Sequence, residues 1–192
     1  MTHPEIVQAH DSTGILTRPE GWRTRPLVLV GLMGAGKSTV GRRLAKKIGW
    51  RFVDSDEEIE AAAGCSVSDI FAIHGEPIFR DLEKRVIGRL LKEEPAVVAT
   101  GGGAWMQPEV REMIRQHGTS LWLRADVEVL LERVSRRGHR PLLETGDKRA
   151  ILTRLMGERY PVYGEADILI DSGVGPHEEV VKAILALLGE KA

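Results

Sequence analysis

The chain has little of what a disulfide-stabilised, membrane-spanning or nucleic-acid-binding protein needs. Its single cysteine, Cys65, cannot form a disulfide within the chain, which predicts a reducing, cytoplasmic setting. No apolar run approaches the roughly 18 residues needed to cross a bilayer. Because 27 Lys and Arg residues are balanced by 28 Asp and Glu residues, the net charge is -1 and no basic surface for nucleic acid is expected.

What the sequence does contain is sufficient for one globular domain. Hydrophobic residues make up 42% of the 192 positions and charged residues 29%, which excludes a disordered or repetitive chain. Residues 1–25 show no sustained hydrophobic periodicity and no basic start followed by an apolar stretch. They predict a poorly ordered extension rather than a secretory signal. We therefore expect a single domain over residues 26–192.

Short apolar runs alternate with longer helical segments from residue 27 onward. This order predicts an α/β fold with a five-stranded, mainly parallel sheet and helices on both faces. In such sheets, ligands bind beyond the carboxyl ends of the strands. The predicted strands cover residues 27–30, 51–53, 96–99, 120–123 and 168–170. The predicted helices cover residues 39–48, 56–63, 67–73, 77–93, 108–117, 126–136, 147–160 and 177–188.

The first predicted strand leads into a phosphate-binding motif. Residues 31–38, GLMGAGKS, match the pattern G-x-x-x-x-G-K-[ST] between a strand and a helix. Such a loop directs backbone N–H groups at phosphate oxygens, and the following helix presents its positive end to the same anion. In this motif Lys37 reaches the β- and γ-phosphates and Ser38 offers a hydroxyl to Mg²⁺. The motif predicts nucleoside triphosphate binding and does not identify the acceptor.

Two carboxylates, Asp54 and Asp56, follow the second predicted strand. Alternate positions at a strand end project to the same side, so both can face the phosphate-binding loop. One could serve the metal and the other an acceptor hydroxyl, although Asp56 could instead only cap the following helix. The chain is short for a GTPase and has no N-K-x-D sequence to recognise guanine. A small kinase acting on a nucleotide or metabolite is therefore the leading class.

Three further segments predict parts of an acceptor site. Three glycines at 101–103 follow a buried strand, where glycine permits the close approach of a ligand. Arg80 lies within a long predicted helix, where an arginine is usually solvated. Residues 136–147 combine basic side chains with glycine and proline, which predicts a mobile lid; a solvated basic loop is the alternative.

Taken together and in this order, the motifs resemble those of the shikimate kinase family. The resemblance extends from about residue 27 to the C-terminus. It rests on GLMGAGKST, DSD with the following Ile and Glu, GEPIFRDLE, TGGG, RPLL and RYPVY, at residues 31–39, 54–60, 75–83, 100–103, 140–143 and 159–163. It implies a P-loop NTPase fold like that of nucleoside-monophosphate kinases. It also implies transfer of the γ-phosphate of ATP to the 3-hydroxyl of shikimate, a step toward chorismate and the aromatic amino acids.

The resemblance assigns acceptor binding to six residues and gives a supporting role to a seventh. Arg80 and Arg159 would bind the shikimate carboxylate, with Glu83 orienting the Arg80 guanidinium. Asp56 would bind ring hydroxyls and act as the base or the orienting group for the attacking hydroxyl. The backbone N–H groups of Gly101, Gly102 and Gly103 would line the same pocket.

The resemblance also assigns the nucleotide and metal contacts. The phosphates would be wrapped by Gly34, Ala35, Gly36, Lys37, Ser38 and Thr39. Ser38 and Asp54 would hold Mg²⁺. Arg140 would move in with the lid to neutralise charge on the transferred phosphoryl group, which makes Asp56, Lys37 and Arg140 the expected catalytic residues.

The resemblance has one departure, and other functions remain open. Residues 172–176, SGVGP, lack the basic or amide residue that many relatives carry near adenine, so adenine contacts are expected from backbone or from Arg136 or Arg137.

A gluconate-type kinase on the same fold is the alternative enzyme. A P-loop binding module without turnover is disfavoured because Asp56 and Arg140 are present. A nucleotide kinase is disfavoured because aromatic residues are only 5% of the chain. We expect a monomer that binds shikimate and ATP, without nucleic-acid or membrane partners.

Overall fold

A computed structural model of the chain describes residues 6–9, 21–136 and 146–190. The strands are β1 (Ile6–Ala9), β2 (Leu27–Val30), β3 (Arg51–Asp54), β4 (Ala96–Ala99), β5 (Thr119–Arg124) and β6 (Ile168–Asp171). The helices are α1 (Lys37–Ile48), α2 (Ser55–Ala63), α3 (Val67–Leu90), α4 (Pro108–His117), α5 (Val127–Arg136), α6 (Lys148–Tyr163) and α7 (His177–Leu187). Two short 3₁₀ helices cover Trp22–Thr24 and Ala104–Met106.

The strands form one sheet in the order β1-β6-β5-β2-β4-β3. Strands β2 to β6 pair in parallel, with β2 between β4 and β5 at the centre. The residues of β2 and β4 are all buried, as expected for central strands whose two faces are both covered. The predicted five-stranded parallel sheet with flanking helices, a P-loop kinase fold, is confirmed.

Strand β1 lies within the N-terminal extension and adds to the predicted sheet. It pairs antiparallel with β6, and Ile6 lies opposite Ile170. We predicted five strands, none of them before residue 27, and β1 is a sixth strand that the sequence pattern did not reveal. A four-residue strand is too short to show a hydrophobic period, and its structure depends on the open edge of β6, to which it pairs. Trp22 is also buried and packs against Trp50, with ring centroids 5.6 Å apart.

Helix α3 is interrupted where the sequence predicts two separate helices. Gly75 has non-helical backbone angles, with φ at 78° and ψ at 174°, and Pro77 follows it. A positive φ of this kind favours glycine, and proline cannot donate the helical hydrogen bond of its own position. The predicted break between residues 73 and 77 is therefore confirmed. None of the described helices is long and apolar enough to cross a membrane.

Candidate active site

One cavity of about 560 Å³ lies at the carboxyl ends of β2, β3 and β4. Its volume is typical of sites that hold small ligands. It collects nearly all of the site residues that the sequence predicts: Gly34, Gly36, Lys37, Ser38, Thr39, Asp54, Asp56, Arg80, Gly101, Gly102, Gly103 and Arg159. Ala35 is buried and does not line the cavity. Predictions for Arg137, Arg140 and most of the lid at 136–147 fall on residues outside the described part of the chain.

The phosphate-binding loop has the backbone conformation that its glycines allow. Gly34 and Gly36 adopt φ angles of 84° and 97°, in the region that side-chain-bearing residues rarely occupy. A Cβ at position 36 would also lie 2.7 Å from His177 Nε2. Helix α1 begins at Lys37, whose Nζ donates to the Gly31 and Leu32 carbonyls at 2.7 and 3.0 Å. The loop therefore presents a helix N-terminus and an ammonium group to the same space, as an anion requires.

Ser38 and Asp54 form the pair that is predicted to hold the metal. Ser38 Oγ donates to Asp54 Oδ2 at 2.9 Å, which joins the start of α1 to the end of β3. The described residues contain no cluster of three or more His, Cys, Asp or Glu side chains that could hold a metal. Mg²⁺ is usually held by one or two protein oxygens, substrate phosphates and water, so this hydroxyl and carboxylate fit it.

Asp56 faces the cavity and is not the cap of helix α2. The helix begins at Ser55, and its cap is Asp54, whose Oδ1 accepts from the Asp56 backbone N–H at 3.2 Å. The alternative interpretation of Asp56 as a cap is therefore wrong. Its Oδ1 is buried without a hydrogen-bond partner among the described residues. Burial and the neighbouring Asp54 carboxylate raise the pKa of Asp56, and the charge of Lys37 opposes this. Such a carboxylate is available to a ligand hydroxyl.

Arg80 is held by two carboxylates on its own helix. Its Nη1 donates to Glu83 Oε2 at 2.6 Å, and its Nη2 donates to Glu76 Oε1 at 3.0 Å. Gln107 Nε2 donates to the same Glu83 oxygen at 2.9 Å. Glu83 is fully buried, and burial raises its pKa to about 7 although Arg80 lowers it. The predicted orientation of Arg80 by Glu83 agrees with this geometry.

Charged side chains of the site lie so close to Gly101 and Gly103 that a Cβ at either position would collide with them. A Cβ at position 103 would collide with the Arg80 guanidinium. A Cβ at position 101 would lie 2.9 Å from Asp56 Oδ1 and 2.8 Å from Glu83 Oε1. The loop thus lets an arginine and two carboxylates approach the backbone closely, which a side chain larger than glycine would prevent.

Arg159 reaches the glycine loop from helix α6. Its Nη1 donates to the Gly102 carbonyl at 2.9 Å. The hydroxyl of Tyr163, one helical turn further on, donates to the same carbonyl. Arg80 and Arg159 therefore approach the glycine loop from two different helices and line one cavity. Two guanidinium groups so placed can bind a carboxylate.

Sequence reasoning missed Arg133, which joins the phosphate-binding loop to the segment after β6. Its guanidinium donates to Ser172 Oγ at 3.0 Å, to the Gly173 carbonyl at 2.6 Å and more weakly to the Ala35 carbonyl at 3.5 Å. It lines the cavity with Arg136, one of the residues expected near adenine. Arginine at a partly exposed position of an amphipathic helix is usually solvated, so the sequence held no signal for this role.

Comparisons with known proteins agree with this geometry. The family profile described as shikimate kinase matches residues 33–189. A shikimate kinase of Paramagnetospirillum magneticum is 61% identical over 148 residues, covering 77% of this chain and 76% of that protein. A structure of shikimate kinase from Acinetobacter baumannii in complex with shikimate superposes with a TM-score of 0.82 at 39% identity, covering 87% of this chain and 94% of that one.

A more distant structure shares the fold alone. A gluconokinase from Sinorhizobium meliloti superposes with a TM-score of 0.57 at 23% identity, covering 87% of this chain and 93% of that one. The family profile and the 61% identical relative each cover most of the chain. The chain therefore belongs to the shikimate kinase family.

Proposed function

We propose that this protein transfers the γ-phosphate of ATP to the 3-hydroxyl of shikimate and releases shikimate 3-phosphate and ADP. The observation that carries the proposal is that one cavity joins the phosphate-binding loop to Asp56 and to two arginines from different helices. Membership of the shikimate kinase family supports the same substrate pair. One kinase domain over residues 26–192 would perform the reaction, in the cytoplasm and as a monomer.

Acceptor binding is assigned to Arg80, Arg159 and the glycine loop. The carboxylate of shikimate would accept hydrogen bonds from both guanidinium groups, whose planar forks match it better than ammonium groups would. Glu83 keeps the Arg80 fork in place at 2.6 Å. Backbone N–H groups at residues 101–103 would complete the pocket. The acceptor is thereby held with its hydroxyls toward Asp56, which lines the same cavity.

Asp56 is the group assigned to the attacking hydroxyl. Its Oδ1 is buried and has no partner among the residues that the structure describes, so it can accept a hydrogen bond from a substrate hydroxyl. A carboxylate in this position orients the hydroxyl toward the γ-phosphorus and can take its proton as the bond to phosphorus forms. Since phosphoryl transfer depends chiefly on position and charge, orientation supplies part of the rate enhancement.

The nucleotide phosphates are assigned to residues 34–39, with Lys37 contacting the β- and γ-phosphates. Ser38 and Asp54 are the residues that would hold Mg²⁺, and the bound ion would neutralise phosphate charge. Arg133 contacts the phosphate-binding loop as well as residues 172 and 173, and it would hold the two segments together. Arg140 remains assigned to the transferred phosphoryl group on the basis of the RPLL motif.

The experiment that tests this function measures ADP release with shikimate, gluconate and nucleoside monophosphates as parallel acceptors. We expect turnover with shikimate and Mg²⁺–ATP and none above background with the other acceptors. A higher kcat/KM for gluconate would overturn the proposal in favour of the alternative kinase. ATP binding without ADP release in the presence of any acceptor would instead favour a P-loop binding module without turnover.

A further inference from the structure

Tyr163 occupies a position in the RYPVY motif to which the reaction, as described above, gives no role. Its side chain is fully buried, and its ring lies against those of Trp122 and Tyr160, with centroids 5.9 and 6.2 Å away. Only its hydroxyl is directed to a polar group, the carbonyl of Gly102. The surrounding rings fix the position of this hydroxyl, because a tyrosine side chain has only two rotatable bonds.

The hydroxyl is a permanent hydrogen-bond donor at this position. Burial raises the pKa of Tyr163 above its ordinary value of 10.0, and the charge of Arg159 opposes this. The phenol therefore keeps its proton at neutral pH. Arg159 interacts with the same hydroxyl and also donates to the Gly102 carbonyl at 2.9 Å. Tyrosine, arginine and carbonyl thus form one connected group at the wall of the cavity.

Holding the Gly102 carbonyl in place also orients the N–H group of Gly103, which belongs to the same peptide unit. The described chain contains no cis peptide bond, and a trans peptide unit is planar with its C=O and N–H pointing in opposite directions. The direction of the Gly102 carbonyl therefore sets the direction of the Gly103 N–H. Gly103 lines the cavity, and the Arg80 guanidinium is packed against it. One buried hydroxyl is accordingly connected to both arginines and to the backbone donors between them.

We propose that Tyr163 is a positioning residue for the acceptor, holding the Gly102 carbonyl and the Arg159 guanidinium where the substrate carboxylate binds. The proposal rests on the proposed function, since it concerns the same pocket. Removal of the hydroxyl would leave the Gly102 carbonyl with its arginine donor, so the fold is kept while the pocket loses part of its rigidity. The effect should therefore fall on the acceptor and not on ATP.

The chain offers a matched control in Tyr160. This tyrosine lies on the same helix, and its hydroxyl donates to the Ala125 carbonyl at 2.5 Å. Ala125 is buried but does not line the cavity. Tyr160→Phe and Tyr163→Phe each remove one hydroxyl that donates to a backbone carbonyl and keep the ring. They differ in whether that carbonyl belongs to the acceptor pocket.

The experiment measures KM for shikimate and for ATP in the wild type and both variants, together with shikimate binding by calorimetry. Tyr163→Phe should weaken shikimate by about three- to tenfold, the effect of losing one hydrogen bond, and leave KM for ATP unchanged. Tyr160→Phe should change neither constant. The proposal would be overturned if KM for shikimate were the same in the two variants. It would also be overturned if KM for shikimate and KM for ATP rose together in Tyr163→Phe, because that result indicates general destabilisation.

A second measurement tests whether Tyr163 acts through Arg159. In the Arg159→Ala background, Tyr163→Phe should weaken shikimate by less than it does in the wild type, because coupled residues are not additive. If the effects of the two substitutions on shikimate affinity were additive, Tyr163 would not act through Arg159. A wild type that neither binds nor phosphorylates shikimate would overturn the proposed function itself. An active wild type, together with a Tyr163→Phe variant whose shikimate affinity is unchanged, would overturn only the role of Tyr163.

Discussion

Arg80 Nη1 lies 2.6 Å from Glu83 Oε2, one helical turn away on α3, and both residues line the cavity although Glu83 is fully buried. The buried carboxylate holds one nitrogen of the guanidinium, and the N–H groups that remain can be directed at a ligand. Glu76 contacts the same guanidinium from the exposed side, with 64% of its side chain accessible. This arrangement makes Arg80 a rigid donor and distinguishes it from a solvated helical arginine.

The first prediction concerns the carboxylate contacts. Arg80→Ala and Arg159→Ala should each weaken shikimate by about ten- to a hundredfold, because each removes a charge-assisted hydrogen-bond donor. The affinity for ATP should remain close to that of the wild type. Lysine at either position should restore binding only in part, since an ammonium group cannot form a bidentate contact. Calorimetric titration with each ligand separates these effects, and an unchanged shikimate dissociation constant would contradict the assignment.

The second prediction concerns pH and Glu83. Burial raises the pKa of this carboxyl from 4.5 to about 7, so the folded protein keeps a proton that the unfolded chain releases between these values. The contribution of Glu83 to the free energy of unfolding is therefore greatest below pH 4.5 and declines as the pH rises to about 7. The whole decline is limited to about 3 kcal/mol.

Urea denaturation at pH values from 5 to 8 measures this dependence. Glu83→Gln should lose the decline, because glutamine does not titrate, and its stability relative to the wild type should rise with pH. Glu76→Gln removes the exposed partner of the same arginine and is the matched control, for which we expect the wild-type profile. Parallel profiles for the wild type and Glu83→Gln would show that the carboxyl does not titrate in this window.

Some features of the site could be predicted from sequence because they are local. The phosphate-binding loop can be recognised from the spacing of Gly31, Gly36 and Lys37 alone, although distant residues also contact its backbone in the fold. The positions of Arg80 and Arg159 came from the family resemblance, because their separation in the chain gives no spacing rule. The two residues lie on α3 and α6 and meet at one cavity only because the chain folds into this sheet with these helices packed on it.

Other features depended on packing that the sequence does not encode locally. Strand β1 forms because β6 offers an open edge, and Arg133 is recruited by backbone carbonyls from two distant loops. The pKa of Glu83 follows from its burial, which no window of sequence reveals. The residue that caps α2 depends on where the helix begins. The helix begins at Ser55, one residue before the predicted start, so Asp54 is the cap and Asp56 is not.

The third prediction concerns Asp56. Asp56→Asn keeps the size of the side chain and removes the charge that orients the attacking hydroxyl or accepts its proton. General-base assistance is typically worth about 10²- to 10⁴-fold, so kcat should fall within that range while the affinity for ATP survives. Steady-state kinetics with saturating shikimate, together with ATP titration, measure both quantities. Near-normal turnover would exclude Asp56 from the chemical step.

The fourth prediction concerns Arg140, on the RPLL motif. An arginine that reaches the transferring phosphoryl group can contribute about 10³- to 10⁵-fold, so Arg140→Ala should lower kcat strongly and ATP affinity much less. His139→Ala alters the adjacent position and should be close to the wild type. A variant that binds ATP weakly but turns over normally at saturation would make Arg140 a ground-state phosphate contact and would exclude the lid mechanism.

The fifth prediction concerns strand β1, the part of the fold that the sequence did not predict. Deletion of residues 1–9 removes the strand paired with β6 and leaves a row of unpaired backbone groups at the sheet edge. We expect a loss of about 1–3 kcal/mol in the free energy of unfolding, from a few backbone hydrogen bonds, and increased self-association through the exposed edge. Deletion of residues 1–5 keeps β1 and should leave both properties unchanged.

Urea denaturation and size-exclusion chromatography with light scattering measure the two effects of this deletion. The β6 edge is close to the nucleotide side of the site, because Ser172, which follows β6, donates to the Ala35 carbonyl at 2.9 Å. The longer deletion should therefore raise KM for ATP more than KM for shikimate, whose assigned contacts lie on α2, α3, α6 and the loop after β4. Equal stability and equal oligomeric state for the two deletions would mean that β1 contributes nothing to the sheet.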